Sequence, residues 1–164
     1  MKKCVILFLG ILTGGSITSI TMSKINNQII ENKNKKANKF KSYYTLLNEW
    51  LYIRQKNRSL TEYFINNGYK KVGIYGLGDL GSRLVDEFKE TEIEVVYGID
   101  RDIDYISYDI LVYSLDEIER ISKEVDVIVV TAVFAYDDVK DMLYKKLGIK
   151  VISLEEVVFG IYNK

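Results

Sequence analysis

The sequence predicts an α/β fold: a small doubly wound parallel sheet of about five strands, arranged as a three-layer sandwich. Three observations predict it. Between residues 71 and 152, apolar strand-like runs alternate with stretches of helical spacing. The runs lack polar alternation, as expected of parallel strands covered on both faces. A glycine-rich turn joins the first run to the first helix of the series. The chain has 164 residues, 48% of them hydrophobic, which suits one packed core with an appendage.

Four segments follow along the chain: a transmembrane anchor over 1–23, a basic linker over 24–41, a helical segment over 42–68 and the α/β domain over 69–164. Residues 4–22 are 19 consecutive uncharged positions. As a helix they would reach roughly 28 Å, close to a bilayer core of about 30 Å. A cleavable signal peptide is the rival reading, with Lys2 and Lys3 before an apolar run and small residues after it. Flanking charge favours the anchor. Lys24, Lys33, Lys35, Lys36, Lys39 and Lys41 follow the run, opposed by Glu31, and the positive-inside tendency then turns the C-terminal part towards the cytoplasm. The Asn/Lys-rich stretch 24–41 reads as a solvated juxtamembrane tether, attracted to anionic headgroups.

From 43 to 55, Tyr43, Leu46, Leu47, Trp50, Leu51 and Ile53 fall mostly on one helical stripe. Such a stripe is usually core, here a cover for the following domain, and otherwise a surface for a protein partner or a second copy. Ser59 and Glu62 match a capping box that opens a short helix, and Asn67-Gly68 is a stop signal after it. In the domain proper, strands are expected over 71–75, 93–99, 110–113, 125–130 and 149–152. Helices are expected over 79–89, 115–123 and 137–147.

The informative motif is Gly76-Leu77-Gly78-Asp79-Leu80-Gly81, which follows a strand and opens an amphipathic helix. Gly76 permits the tight turn, Gly78 has no side chain to block a pyrophosphate, and Gly81 lets the helix pack close to the sheet. The helix N-terminus, formed by Gly78, Asp79, Leu80 and Gly81, offers backbone N–H groups to an anion. Asp100 ends the second strand 19 residues after Gly81, where a carboxylate can accept hydrogen bonds from a ribose diol. That carboxylate would repel a 2′-phosphate, whereas Arg101 beside it could accept one or stack on a base. NAD or a nucleotide-sugar is therefore favoured over NADP. Thr131 and Tyr136 follow the strand 125–130 and are candidate ligand contacts at its carboxyl edge, with Phe134 between them read as packing.

The stretches KVGIYGLGDLG and EVVYGIDRD resemble the Rossmann-type nucleotide-binding superfamily over roughly residues 70–155. They are similar to the small nucleotide-binding domains of bacterial sugar O-acyltransferases and of membrane proteins of capsular polysaccharide assembly. The resemblance implies a Rossmann-like sheet that binds a nucleotide-sugar or NAD(P) through Gly76, Gly78, Gly81 and Asp100. Together with the anchor and orientation read from the flanking charge, the expectation is a module accessory to bacterial cell-envelope polysaccharide biosynthesis, single-pass in the cell membrane, with its C-terminal domain facing the cytoplasm. Those acyltransferases continue into a catalytic repeat domain, which this sequence does not contain.

Composition narrows the chemistry. The sequence has no His and one Cys, so it carries no imidazole-based triad, imidazole metal ligand, internal disulfide or thiolate zinc site. Its 23 basic and 23 acidic residues cancel, which gives no reason to expect a nucleic-acid binder. The zero is divided: residues 1–70 hold 12 Lys/Arg against 3 acids, a net of +9, so residues 71–164 carry −9. Tyr136 and Lys140 imitate the Tyr-x-x-x-Lys pair of short-chain dehydrogenases, but Tyr52 and Lys56 show the same spacing. No catalytic or metal-binding set is assigned. The alternative function is a small NAD(P)-dependent oxidoreductase or sugar-nucleotide-modifying enzyme, completed by oligomerisation or a partner.

Overall fold

The computed structural model describes residues 2–101, 110–118 and 124–163, with side chains described from residue 25 onward. Helix α1 (Lys2–Gln55) crosses the boundary between two compact units, residues 1–43 and 44–164, which are taken separately. In the first unit the stretch 24–41, expected as a tether, is helical. The reason is local: from 16 to 67 the chain has neither Gly nor Pro to break a helix. Glu31 and Lys35 pair at 2.8 Å one turn apart, which holds the Glu31 carboxyl below its ordinary pKa, and Lys39 lies 5.6 Å from the centre of the Tyr43 ring. Among the described residues no helix is long and apolar enough to cross a membrane; the expected anchor at 4–22 lies outside those whose side chains are described.

The second unit is a mixed α/β structure built on five parallel strands. In chain order it contains α2 (Thr61–Asn66), β1 (Lys71–Tyr75), α3 (Asp79–Phe88), β2 (Glu94–Ile99), β3 (Val112–Tyr113) and α4 (Leu115–Ile118). Then follow β4 (Val127–Val130), a 3-10 turn (Val133–Ala135), α5 (Tyr136–Leu147), β5 (Val151–Ser153) and α6 (Leu154–Tyr162). The expected helix over 115–123 is described to Ile118, and residues 119–123 lie outside the described residues. The strand order is β3-β2-β1-β4-β5, with every pair parallel. The chain leaves β1 towards β2 on one side and leaves β4 towards β5 on the other. Right-handed crossovers in opposite directions put α3 and α5 on opposite faces.

Period-two alternation divides the strand residues between those faces. On one, Tyr97, Ile99, Ile128, Val130 and Val151 cluster with Ile118 of α4 and with Val139 and Leu143 of α5. On the other, Val72, Ile74, Val127, Val129 and Ile152 are equally buried. That side carries α3, α2 and α6. Phe88 of α3 meets Phe64 of α2 edge-on at 4.9 Å between ring centroids, and Arg58 Nη1 donates to the Ile161 carbonyl at the end of α6 (3.0 Å). Of the α1 stripe, Leu46, Trp50 and Ile53 are buried against this layer, while Leu47 and Leu51 are exposed. The segment therefore contributes core to the domain, at about 1.5–3 kcal/mol for each large side chain fully buried.

Helix α6 was not foreseen from the sequence. Its start is a capping interaction, with Ser153 Oγ accepting the Glu156 N–H at 2.9 Å, and it buries Leu154, Val157, Val158 and Ile161. The Ser59–Glu62 box forms by half: Glu62 reaches back to the Ser59 N–H (3.3 Å), but Ser59 Oγ accepts from the Thr61 N–H and donates to Glu87. Glu87 is the centre of that corner. Its side chain is 8% exposed, and its Oε1 accepts from Ser59 Oγ (2.9 Å), the Leu60 N–H (3.1 Å) and Arg54 Nη1 (3.3 Å). One carboxylate thus joins the end of α1, the start of α2 and α3.

Two predictions follow from these contacts. Glu87→Ala is expected to lower unfolding free energy by about 1–2 kcal/mol, because two part-buried hydrogen bonds and one exposed bond to a charged group are lost together. A urea titration that gave an unchanged midpoint would refute the role assigned to Glu87. Asp126 Oδ2 accepts the Lys70 and Lys71 N–H groups at 2.7 and 2.8 Å, and these bonds, that from Lys71 first, hold its carboxyl below the usual Asp value. Stability from a depressed carboxyl pKa is present above the unfolded value of about 3.9 and is lost as pH falls through the folded one. Asp126→Asn should therefore flatten the acid limb of a stability–pH curve and leave its slope near neutral pH unchanged.

Candidate functional site

Strand β1 ends at Tyr75, and the turn that follows is set by what the next residues can bury. The Gly76 N–H continues the ladder to the Ile99 carbonyl at 2.8 Å, and Gly76 itself has φ +89°, a left-handed conformation that side chains resist. Leu77 is buried over Gly98 of β2: a Cβ on Gly98 would sit 2.3 Å from Leu77 Cδ1. This plug returns the chain to the sheet, so that Gly78 becomes the N-cap of α3. Gly78 is exposed, and a Cβ placed there meets no atom within 4 Å.

The third glycine makes the closest approach in the turn. A Cβ on Gly81 would lie 2.1 Å from the Gly76 carbonyl oxygen, so the first turn of α3 rests directly on the backbone it has just left. Thr131, buried at the end of β4, completes this junction. Its N–H bonds the Tyr75 carbonyl at 3.0 Å, and its hydroxyl donates to the Gly76 carbonyl. The sequence makes Thr131 a candidate ligand contact, and in the structure its hydroxyl hydrogen-bonds the glycine turn. A hydroxyl has one proton to give, and here the protein backbone takes it.

Asp100 stands beside the turn from β2. Its Oδ2 accepts the Leu77 N–H at 2.6 Å and its Oδ1 the Arg101 N–H at 2.7 Å, two of the roughly four bonds a carboxylate can accept. The carboxylate is thereby fixed in orientation. Arg101 and Asp79 are exposed. Asp79 in the first turn of α3 complements the positive end of the helix dipole.

Of the ten residues singled out by sequence, the structure joins Gly76, Gly81 and Thr131 in one contact, and Leu77, Asp100 and Arg101 in another. Gly78 and Asp79 form the open rim. The side chains of Leu77 and Leu80 are buried, so they face the core and offer a ligand backbone alone. The Tyr136 hydroxyl donates to the Val151 carbonyl at 3.2 Å, and burial pushes its phenol pKa up, with Lys140 opposing. Phe134, read as packing, is 57% exposed. Sequence reasoning missed Gly98, whose signal was its place two residues before the acid that follows β2. Among the described residues no group of three or more Cys, Asp or Glu side chains could hold a metal ion.

These elements meet at the carboxyl edge of the sheet, between β1 and β4, where the chain's departures diverge. In open α/β sheets this is where ligands bind. Comparison of the chain with protein-family models, curated proteins and solved structures gives no match.

The three glycines should respond differently to a methyl group. Gly81→Ala forces the Gly76 carbonyl to move and is expected to lower stability by about 1–3 kcal/mol or more. Gly78→Ala adds its methyl to open space and should leave the thermal midpoint within a degree or two, since surface changes of this kind stay within about 0.5 kcal/mol. Equal melting of the two variants would contradict the packing described.

Proposed function

We propose that the chain is a nucleotide-binding module whose ligand is NAD or a nucleotide-sugar. The observation that carries this reading is Gly78. It caps the α3 N-terminus with open space in front of it, beside a fixed Asp100 carboxylate, at the divergence point of a 3-2-1-4-5 sheet. That order matches five strands of the 3-2-1-4-5-6 order of Rossmann-type dinucleotide-binding folds, whose ligands bind at this position, and it supports the reading. Backbone N–H groups of the first helical turn would receive the phosphates, because helix geometry leaves them without partners inside the helix. Asp100 would receive the ribose hydroxyls.

The oxidoreductase alternative has weaker support. A proton-transferring Tyr needs a lowered pKa, and Tyr136 has a raised one, with its hydroxyl on the Val151 carbonyl. The tether, the cytoplasmic orientation and the service to envelope polysaccharide synthesis belong to the proposal on sequence grounds: the 19 uncharged residues at 4–22, the lysines after them, and the resemblance of the glycine turn. A second copy or protein partner acting through 42–66 would use the outer face of α1, where Leu47, Leu51 and Tyr52 are exposed.

Calorimetric titration of the full chain in detergent with NAD, NADP and UDP-glucose tests the reading. NAD or UDP-glucose should bind, NADP more weakly. Gly78→Val should abolish binding with thermal unfolding unchanged, since φ at this position is −66° and open to any residue. Absence of binding by the wild-type chain, or full binding by Gly78→Val, would remove the proposal.

A further inference from the structure

Resting on the partner face named for α1, and independent of the nucleotide, we infer that the groove between α1 and α3 is where two copies of this chain associate. The groove encloses about 740 Å³ between the end of α1, the C-terminal half of α3 and the turn after it. Leu47, Trp50 and Leu51 supply its apolar lining. Trp50 is nearly buried, whereas Leu47 and Leu51 are 45% and 56% exposed. Tyr44, 72% exposed, lies one turn before Leu47. Positions 44, 47 and 51 repeat at the three-four spacing that holds one side of a helix against a neighbouring helix. The opposite side of α1 is already used, since Leu46, Trp50 and Ile53 are buried against the domain. Helix α1 thus carries two apolar stripes, one spent within the chain and one left at the mouth of a groove. Grouped apolar surface of this kind marks a contact with another molecule.

Charge decides the occupant. The lining sets Arg54, Arg83 and Lys89 against Asp86, Glu87 and Glu90, so the groove is neutral. Its charges also pair within the chain, Arg54 with Glu87 at 3.3 Å, and Arg83 and Lys89 with Asp86 at 3.8 and 2.8 Å. A strongly acidic or basic partner gains no net attraction from such a surface. In a two-fold contact the same patch lies on both sides, so it must be compatible with itself. A neutral groove with an exposed apolar stripe meets that condition. Elsewhere on the chain the condition is harder to meet: residues 1–70 carry +9 and residues 71–164 carry −9, and like regions of two copies repel. The occupant is therefore α1 of a second copy, with Leu47 and Leu51 of each chain entering the groove of the other.

Sedimentation equilibrium of the full chain in density-matched detergent tests this. A monomer–dimer equilibrium is expected, with a Kd that changes less than about threefold between roughly 50 and 500 mM NaCl, because apolar contact is not screened. The double variant Leu47→Asp, Leu51→Asp should raise that Kd by roughly thirty-fold or more. Its circular dichroism should match wild type, since both side chains are exposed in the monomer. Tyr144→Asp, at an exposed position of α5, should dimerise as wild type does. Trp50, the one Trp of the chain, reports on the groove itself: its quenching by acrylamide should fall as wild type is concentrated and stay constant in the double variant. A dimer retained by the double variant would overturn the inference. So would a dimer that dissociates in 500 mM salt, which would mean basic region on acidic region instead. A wild-type chain that stays monomeric would overturn it while leaving the nucleotide proposal, tested by titration with NAD, intact.

Discussion

The fit of Gly81 against the Gly76 carbonyl governs the centre of the molecule. A helix that must begin where a strand has just ended can do so in few ways, and contact of backbone on backbone fixes its starting direction. With no side chain between them, the first turn of α3 packs directly on the backbone that follows β1. Thr131 then ties the same carbonyl to the neighbouring strand, so the direction of α3 is referred to the sheet rather than to one strand of it. Leu77 over Gly98 does the same towards β2. Three strands and one helix are thus registered around two peptide units.

The helical layer outside this junction is held by different chemistry. Edge-on contact of Phe64 and Phe88 supplies apolar burial, and Glu87 supplies direction, because one carboxylate oxygen on α3 accepts three bonds from the end of α1 and the start of α2. The +9 and −9 regions meet here in miniature, with Arg54 from the basic region on Glu87 from the acidic one. Residues 44–68 are consequently part of the domain's core rather than a separate appendage. Arg58, reaching the Ile161 carbonyl near the end of α6, ties the same segment to the C-terminal helix.

Much of this was legible in the sequence, for identifiable reasons. Continuous apolar runs such as Val127–Val130 announce covered parallel strands, and the glycine spacing announces the turn. Helix α6 was hidden because its Val157-Val158-Phe159-Gly160 core has poor intrinsic helix propensity, which burial on β5 overrides. Its one local signal, Ser153 three residues before Glu156, was available. The helical state of 24–41 was hidden by an Asn- and Lys-rich composition that resembles a tether; what decides it is the lack of breakers. The roles of Thr131, Tyr136 and Leu77 were not readable, since each depends on which strand lies alongside. A hydroxyl has no direction until its neighbours are known.

The sheet is deepest at its centre and tapers sharply outward. Its flanking members, β3 and β5, have two and three residues, and the Tyr136 hydroxyl occupies a carbonyl of β5. A strand from another molecule would find little ladder to extend. Among the described residues, the chain thus carries a hydrophobic parallel sheet whose short edges are a poor template for cross-β growth.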